Sequence, residues 1–118
     1  MKYEYNGNLN EDERIKKVST EIVQKYPQIT IKEAEDIAML EGKISTDKDT
    51  EMEFNRLYNI MLTISDDILR VRQIYTDLVN LVKSNKNDSN IEKYYDITVQ
   101  IGNFLMGKRD FPILDGNN

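Results

Sequence analysis

Residues 46–83 read TDKDTEMEFNRLYNIMLTISDDILRVRQIYTDLVNLVK. Within them Phe54, Leu57, Met61, Ile64, Ile68, Val71, Tyr75, Leu78 and Val82 follow at alternating steps of three and four residues. That is the a/d period of a helical seam, which keeps one face apolar turn after turn. The spacing predicts one long central helix over about 46–84, and with it an all-α protein. Tyr58, Ile60, Ile74, Val79 and Leu81 flank the seam at e and g positions, so the stripe is wider than a two-stranded coiled coil requires. A wide stripe favours a helical bundle of about four helices.

At 1.5 Å per residue such a helix is roughly 55 Å long. A compact chain of this length spans only about 35 Å. The seam must therefore be covered by other helices or meet a second chain, and both a monomeric bundle core and a homodimer interface satisfy it.

The neighbouring helices are read from their ends. Three capping boxes occur, at Asn10 with Glu13, Thr30 with Glu33 and Ser89 with Glu92. In each, a short polar side chain and a later glutamate satisfy each other's free backbone N–H groups. Ile29 and Ala34 occupy the two positions of a hydrophobic staple around Thr30. The first helix is expected from about Glu11 to Lys25, with Ile15, Val18, Ile22 and Tyr26 on one face and Pro27 ending it. The second is expected from Ile31 to Glu41, with Ala34, Ile37, Ala38 and Leu40 apolar and Gly42 as its stop. The last runs from about Asn90 to Met106, with Ile91, Tyr94, Thr98, Ile101 and Leu105 in register and Gly107 closing it. Asp47, Asp49, Glu51 and Glu53 suit the positive end of the long helix, and residues 84–88 read as a loop. The expected organisation is a flexible segment 1–9, a bundle domain 10–107 and an extended tail 108–118.

Composition bounds the chemistry. The chain has 118 residues, a formal net charge of −5, no cysteine and no histidine. The commonest general base, the commonest thiol nucleophile and the usual transition-metal ligands are all missing. A pI near 4.8 disfavours broad binding to nucleic acid or anionic lipid. No apolar run approaches the roughly 20 residues of a membrane span. The opening MKYEYNGN lacks the apolar stretch of a signal peptide, so a cytoplasmic location is expected. The abundance of Ile, Lys and Asn fits an AT-rich genome, such as that of a low-GC bacterium or its phages.

Carboxylates are the only plentiful reactive groups. Glu33, Glu35, Asp36 and Glu41 lie on or beside the second helix, and Asp66 and Asp67 midway along the third. A magnesium-dependent helical hydrolase needs matched carboxylate pairs from two helices. Glu33 and Asp36 have the spacing, but no second pair matches it, and solvated helix faces explain the acids better. Asp47, Asp49 and Glu51 open like a calcium loop, yet its glycine is replaced by Met52 and its final glutamate by Tyr58. A helix-turn-helix is suggested by the spacing of Ala38 and Gly42. The helix that would enter the DNA groove begins with more acids than bases, which repels phosphate. Arg56, Arg70 and Arg72 form no basic stripe and are expected to pair with local acids such as Asp66.

Protein contact fits better. The chain holds seven tyrosines and five methionines, side chains suited to broad or adaptable contacts. Tyr3, Tyr5, Tyr58 and Tyr95 are less committed to the seam than Tyr75 or Tyr94. In the tail, Phe111, Pro112, Ile113 and Leu114 form an apolar plug that either folds back on the bundle or docks on another chain. The expected partner-binding residues are Tyr58, Tyr95, Phe111, Ile113 and Leu114. The reading is a small acidic non-enzymatic module, without catalytic residues, metal or cofactor, that acts on another protein as an accessory, regulatory or inhibitory factor. A phage or mobile-element protein that blocks or redirects a host protein with a basic surface fits this profile. The alternative is an assembly subunit of a homo-oligomer.

Overall fold

A computed structural model describes residues 7–41 and 49–113. Among them are five helices and no strand: α1 (Gly7–Lys25), α2 (Ile31–Glu41), α3 (Asp49–Thr63), α4 (Ile68–Ser84) and α5 (Ile91–Leu105). The all-α bundle class holds, with five helices in place of about four. Where the sequence suggests one bundle over 10–107, the packing divides the chain into two units, Met1–Ile44 and Ser45–Asn118. Among the described residues no helix is long and apolar enough to cross a membrane.

The first unit is a helical hairpin. α1 begins at Gly7, ahead of the cap expected at Asn10. Pro27 ends it, and the amide of Ile29 closes a tight turn on the Tyr26 carbonyl at 3.0 Å. The Thr30 capping box is fully formed. The Thr30 amide donates to Glu33 Oε1 at 3.0 Å, and the Glu33 amide donates to Thr30 Oγ1 at 3.1 Å. Ile29 and Ala34, the staple positions, are both buried. Arg14 fastens the two helices, donating through Nη1 to the Ala38 carbonyl at 3.0 Å while its other nitrogens grip Glu11 at 2.7 and 3.1 Å. That grip raises the guanidinium pKa and keeps it charged. Ile22, Tyr26, Ile37 and Ala38 are buried as expected, whereas Ile15 and Val18 are half-buried. Leu40, the fourth apolar residue of this helix, is exposed, because Ile37 and Ala38 take the inner face of the last turn. Gly42 lies outside the described residues.

The second unit corrects the reading of residues 46–84 as a single helix. Residues 46–48 lie outside the described residues, and the remainder is two helices joined by a turn at 64–67. The i→i−4 ladder gives way to i→i−3 bonds as α3 ends, from Ser65 to Leu62 at 3.3 Å and from Asp67 to Ile64 at 2.8 Å. Asp67 then caps α4. Its carboxylate accepts from the Arg70 amide at 3.3 Å and from Arg70 Nε at 2.8 Å. Ser65, Asp66 and Asp67 are short polar side chains that favour bonds to local backbone over helix continuation, so the interruption is local chemistry. Arg70 therefore pairs with Asp67, not with Asp66, because a residue at the third helical position folds back on its own cap.

Arg70 holds the Asp67 carboxylate below its usual range, chiefly through the side-chain bond and next through its backbone amide. A depressed folded-state pKa means that this stabilisation is complete above the ordinary carboxylate value and is lost as pH falls from there through the lower folded-state value. We expect the melting temperature of Asp67→Asn to lie below that of the natural chain at neutral pH and to converge with it in acid. Curves that stay parallel across a pH titration would show that the cap contributes nothing.

The turn lets α4 run back along α3. Thr50 Oγ1 at the start of α3 donates to Asn85 Oδ1 at the end of α4, at 3.0 Å. The loop 85–90 returns the chain again, and the Tyr75 hydroxyl of α4 donates to the Thr98 carbonyl of α5 at 3.2 Å. Gly102 allows this approach, since a Cβ there would fall 2.8 Å from the Tyr75 oxygen. At 1.5 Å per residue the three helices measure roughly 22 to 26 Å, a matched set in place of one 55 Å rod. Phe54, Leu57, Met61, Ile64, Val71, Leu78 and Val82 are buried in this unit. Two seam residues are not: Ile68 is 39% exposed and Tyr75 is half-buried. Ile68 begins α4 just after the chain reverses, so the seam's phase no longer applies to it. Ile60 and Ile74, expected only to flank the seam, are fully buried in its place.

α5 starts at Ile91 with Asn90 as its cap residue, one position later than the Ser89 box implies, and the Asn90 amide is held by Asp88 Oδ1 at 2.8 Å. Its end matches the expectation. Gly107 adopts a φ of 77°, its amide bonds the Phe104 carbonyl at 2.9 Å, and Lys108 bonds that of Asn103 at 2.9 Å. These two bonds are those of a Schellman stop.

Candidate functional site

The residues singled out for partner binding separate into two places. Tyr58 and Phe111 are buried together, with ring centroids 5.6 Å apart, and the Phe111 ring also meets the edge of Phe104 at 5.3 Å. The Tyr58 hydroxyl donates to the Pro112 carbonyl at 2.6 Å. The tail thus folds back on its own unit, and these two rings are not offered to solvent. Ile113, the next residue, is exposed, and Leu114 lies outside the described residues.

Tyr95 is elsewhere. α5 buries Tyr94, Ile97 and Ile101 on one face. At i and i+4 it presents a second apolar stripe of Tyr95 and Val99, exposed by 45% and 60%, which Met106, the residue capping its C-terminal end, continues at i+11 with 64% exposure. Those three positions fall within about 40° around the helix axis, since each residue turns about 100°. Leu69, near the start of α4, is also largely exposed. Sequence reasoning missed Val99, Met106 and Leu69; a search for a second helical period along α5 would have found the first two. Glu92 and Asp96 lie on α5 beside this stripe and are exposed, giving it an acidic margin.

Glu33 is engaged in the α2 cap and Asp67 in the α4 cap, while Glu35, Asp36 and Asp66 are exposed. Among the described residues no group of three carboxylates is placed to hold one metal ion. Asp47 lies outside the described residues, as does the whole segment 42–48 between α2 and α3, two helices that belong to different units. An open groove of about 420 Å³ runs beside α1 and α2, lined by Asp12, Ile15, Lys16, Ser19, Thr20, Ile31 and Glu35. Its two hydroxyls both donate to the Lys16 carbonyl, at 3.0 and 2.8 Å, so neither is poised as a nucleophile.

One buried polar group stands out. Tyr94 stacks on Phe54 with centroids 4.4 Å apart, and its hydroxyl is buried without a hydrogen-bond partner. Burial pushes the phenol pKa up, opposed by the Asn90 side chain, which does not reach hydrogen-bonding geometry, and aided by Asp88 and Glu51. Tyr75 is shifted the same way by burial. An un-ionised, enclosed phenol beside an aromatic ring is core structure.

Compared with known protein families, with proteins of curated function and with solved structures, the chain gives no match in any of the three.

Proposed function

We propose that the protein is a non-enzymatic binding module that acts on another protein as an accessory, regulatory or inhibitory factor. The observation that carries this is the exposed stripe of Tyr95, Val99 and Met106 on α5. An aromatic, a branched aliphatic and a methionine on one helical face form a compact anchor set of the kind that dominates protein interfaces. The exposed Glu92 and Asp96 beside it, and the net charge of −5, favour a partner with a basic surface, whose approach the field would accelerate. The absence of histidine and cysteine from the chain supports action by contact over catalysis.

Affinity capture with the full chain, run beside a Tyr95→Ser/Val99→Ser variant, tests the reading. We expect one enriched protein whose retention falls by at least about tenfold in the variant, as loss of an aromatic anchor implies. Both substitutions are on an exposed face, so the melting temperature should be nearly unchanged. No enriched protein, or one held equally by the variant, overturns the proposal. The same stripe also admits a second reading, an assembly subunit built from copies of this chain. Light scattering over a concentration series distinguishes the two, because self-assembly predicts a mass that rises with concentration and reverts in the variant.

A further inference from the structure

The last described stretch of the chain lies on its own unit in the manner of a bound peptide. Residues 106–110, at and after the Gly107 turn, are exposed, and Arg109 steadies them by donating from Nη1 to Gln100 Oε1 at 2.9 Å. Phe111 then enters between Tyr58 of α3 and Phe104 of α5, at 5.6 and 5.3 Å. Pro112 follows it into burial and offers its carbonyl to the Tyr58 hydroxyl at 2.6 Å.

Each contact belongs to peptide recognition more than to helix packing. Tyr58 bonds a main-chain carbonyl, which any residue carries, so it reads backbone and no particular side chain. The proline fixes its own φ and restrains the residue before it to extended conformations, which lowers the ordering cost of binding. The phenylalanine supplies the buried area and the edge-to-face ring contact. Five exposed residues, 106–110, join this segment to α5, pinned at Gly107 and Lys108 by the Schellman bonds and at Arg109 by Gln100, so covalent continuity holds the tail beside its groove at a high local concentration.

We propose that the groove around Tyr58 and Phe104 is a binding site for an extended peptide carrying an aromatic residue followed by proline. The site is filled in cis by Phe111 and Pro112, and the same chemistry supplied by a segment of another protein occupies it when the tail is displaced. The cis occupant itself defines the ligand class. The proposal is independent of the α5 stripe, and either can fail alone.

The test is complementation in trans on the full chain. Phe111→Ala removes the ring that fills the groove and should lower the melting temperature by on the order of 10 °C. An acetylated, amidated peptide of residues 108–113, KRDFPI, added at about 1 mM should recover several degrees of that loss, as a ligand with a Kd of roughly 0.1–1 mM requires. In NMR spectra the ring signals of Tyr58 and Phe104 should move back toward their positions in the natural chain. The same peptide with its phenylalanine replaced by alanine should do neither. In the natural chain the peptide should shift these signals far less, because the tethered tail competes at an effective concentration of about 1 mM or more. Should Phe111→Ala fail to fold, Phe111→Leu serves in the same experiment. A variant as stable as the natural chain, or no movement of the Tyr58 and Phe104 signals with the phenylalanine peptide, overturns the proposal.

Discussion

Replacing Phe54 by alanine should lower the stability of the second unit by about 3–5 kcal/mol, while replacing Tyr94 by phenylalanine should raise it by about 1 kcal/mol. The two rings stack at 4.4 Å and each is 1% exposed, yet the substitutions act on different quantities. Phe54→Ala removes a whole ring and leaves a cavity that surrounding helices fill only in part. A loss of that size is a large fraction of the stability of a small domain, enough to leave part of the chain unfolded at growth temperature. Tyr94→Phe keeps the ring and the stack and deletes a buried hydroxyl that has no partner. Such a group costs about 1–3 kcal/mol to bury unbonded, and part of that is returned. Urea unfolding of both variants measures the contrast, and a Tyr94→Phe chain less stable than the natural one would mean that the hydroxyl is bonded in solution. The pH dependence follows the same sign. Because the folded-state pKa of Tyr94 is raised, its neutral form stabilises fully below the ordinary tyrosine value of about 10 and fades as pH rises through the folded value. Tyr94→Phe should unfold less readily in alkali.

The second large effect separates a continuous helix from a broken one. Ile64→Ala should cost about 2–5 kcal/mol, and Ile68→Ala less than about 1 kcal/mol. A continuous seam over 46–84 makes these neighbouring positions equivalent, one at d and one at a, and predicts comparable losses. In the structure Ile64 is fully buried where α3 ends, and Ile68 opens α4 at 39% exposure. Thermal melts of the two single variants suffice. Equal losses would return the chain to one long helix.

That pair also shows where the sequence was legible. Helix ends written in strong local chemistry were readable in advance: Pro27, the Thr30–Glu33 box and Gly107 all stand as expected. Each acts within one turn of itself, so a linear pattern carries the full information. The turn at 64–67 was hidden for a physical reason. A hairpin that buries the inner face of both arms needs apolar residues at helical spacing on each side of the turn, and a period of three and four runs across the reversal with Ile68 exposed and Tyr75 half-buried. The signal that could have revealed it was Ser65-Asp66-Asp67, with Asp67 as a cap and an arginine, in place of glutamate, at its third helical position.

The candidate surfaces were legible in part. Tyr95 was set apart from the core by its register on α5, and it is exposed. Tyr58 was set apart by the same reasoning and is buried, because the tail covers it from 54 residues away in the sequence. No local pattern reports such a cover. Val99 and Met106 are harder to read, because the inward period of α5 accounts for the helix without them.

The short turn and loop that fold α3, α4 and α5 against one another have a kinetic consequence. Helices joined by connections of a few residues close their contacts locally, and topologies of that kind form in microseconds to milliseconds. The clasp between Tyr58 and Pro112 spans a much longer loop and carries the larger closure entropy. It should form last and open first. Amide exchange should therefore release residues near the tail while the centre of α4 is still protected, so that the bundle exposes its Tyr58 groove at a free energy below that of global unfolding.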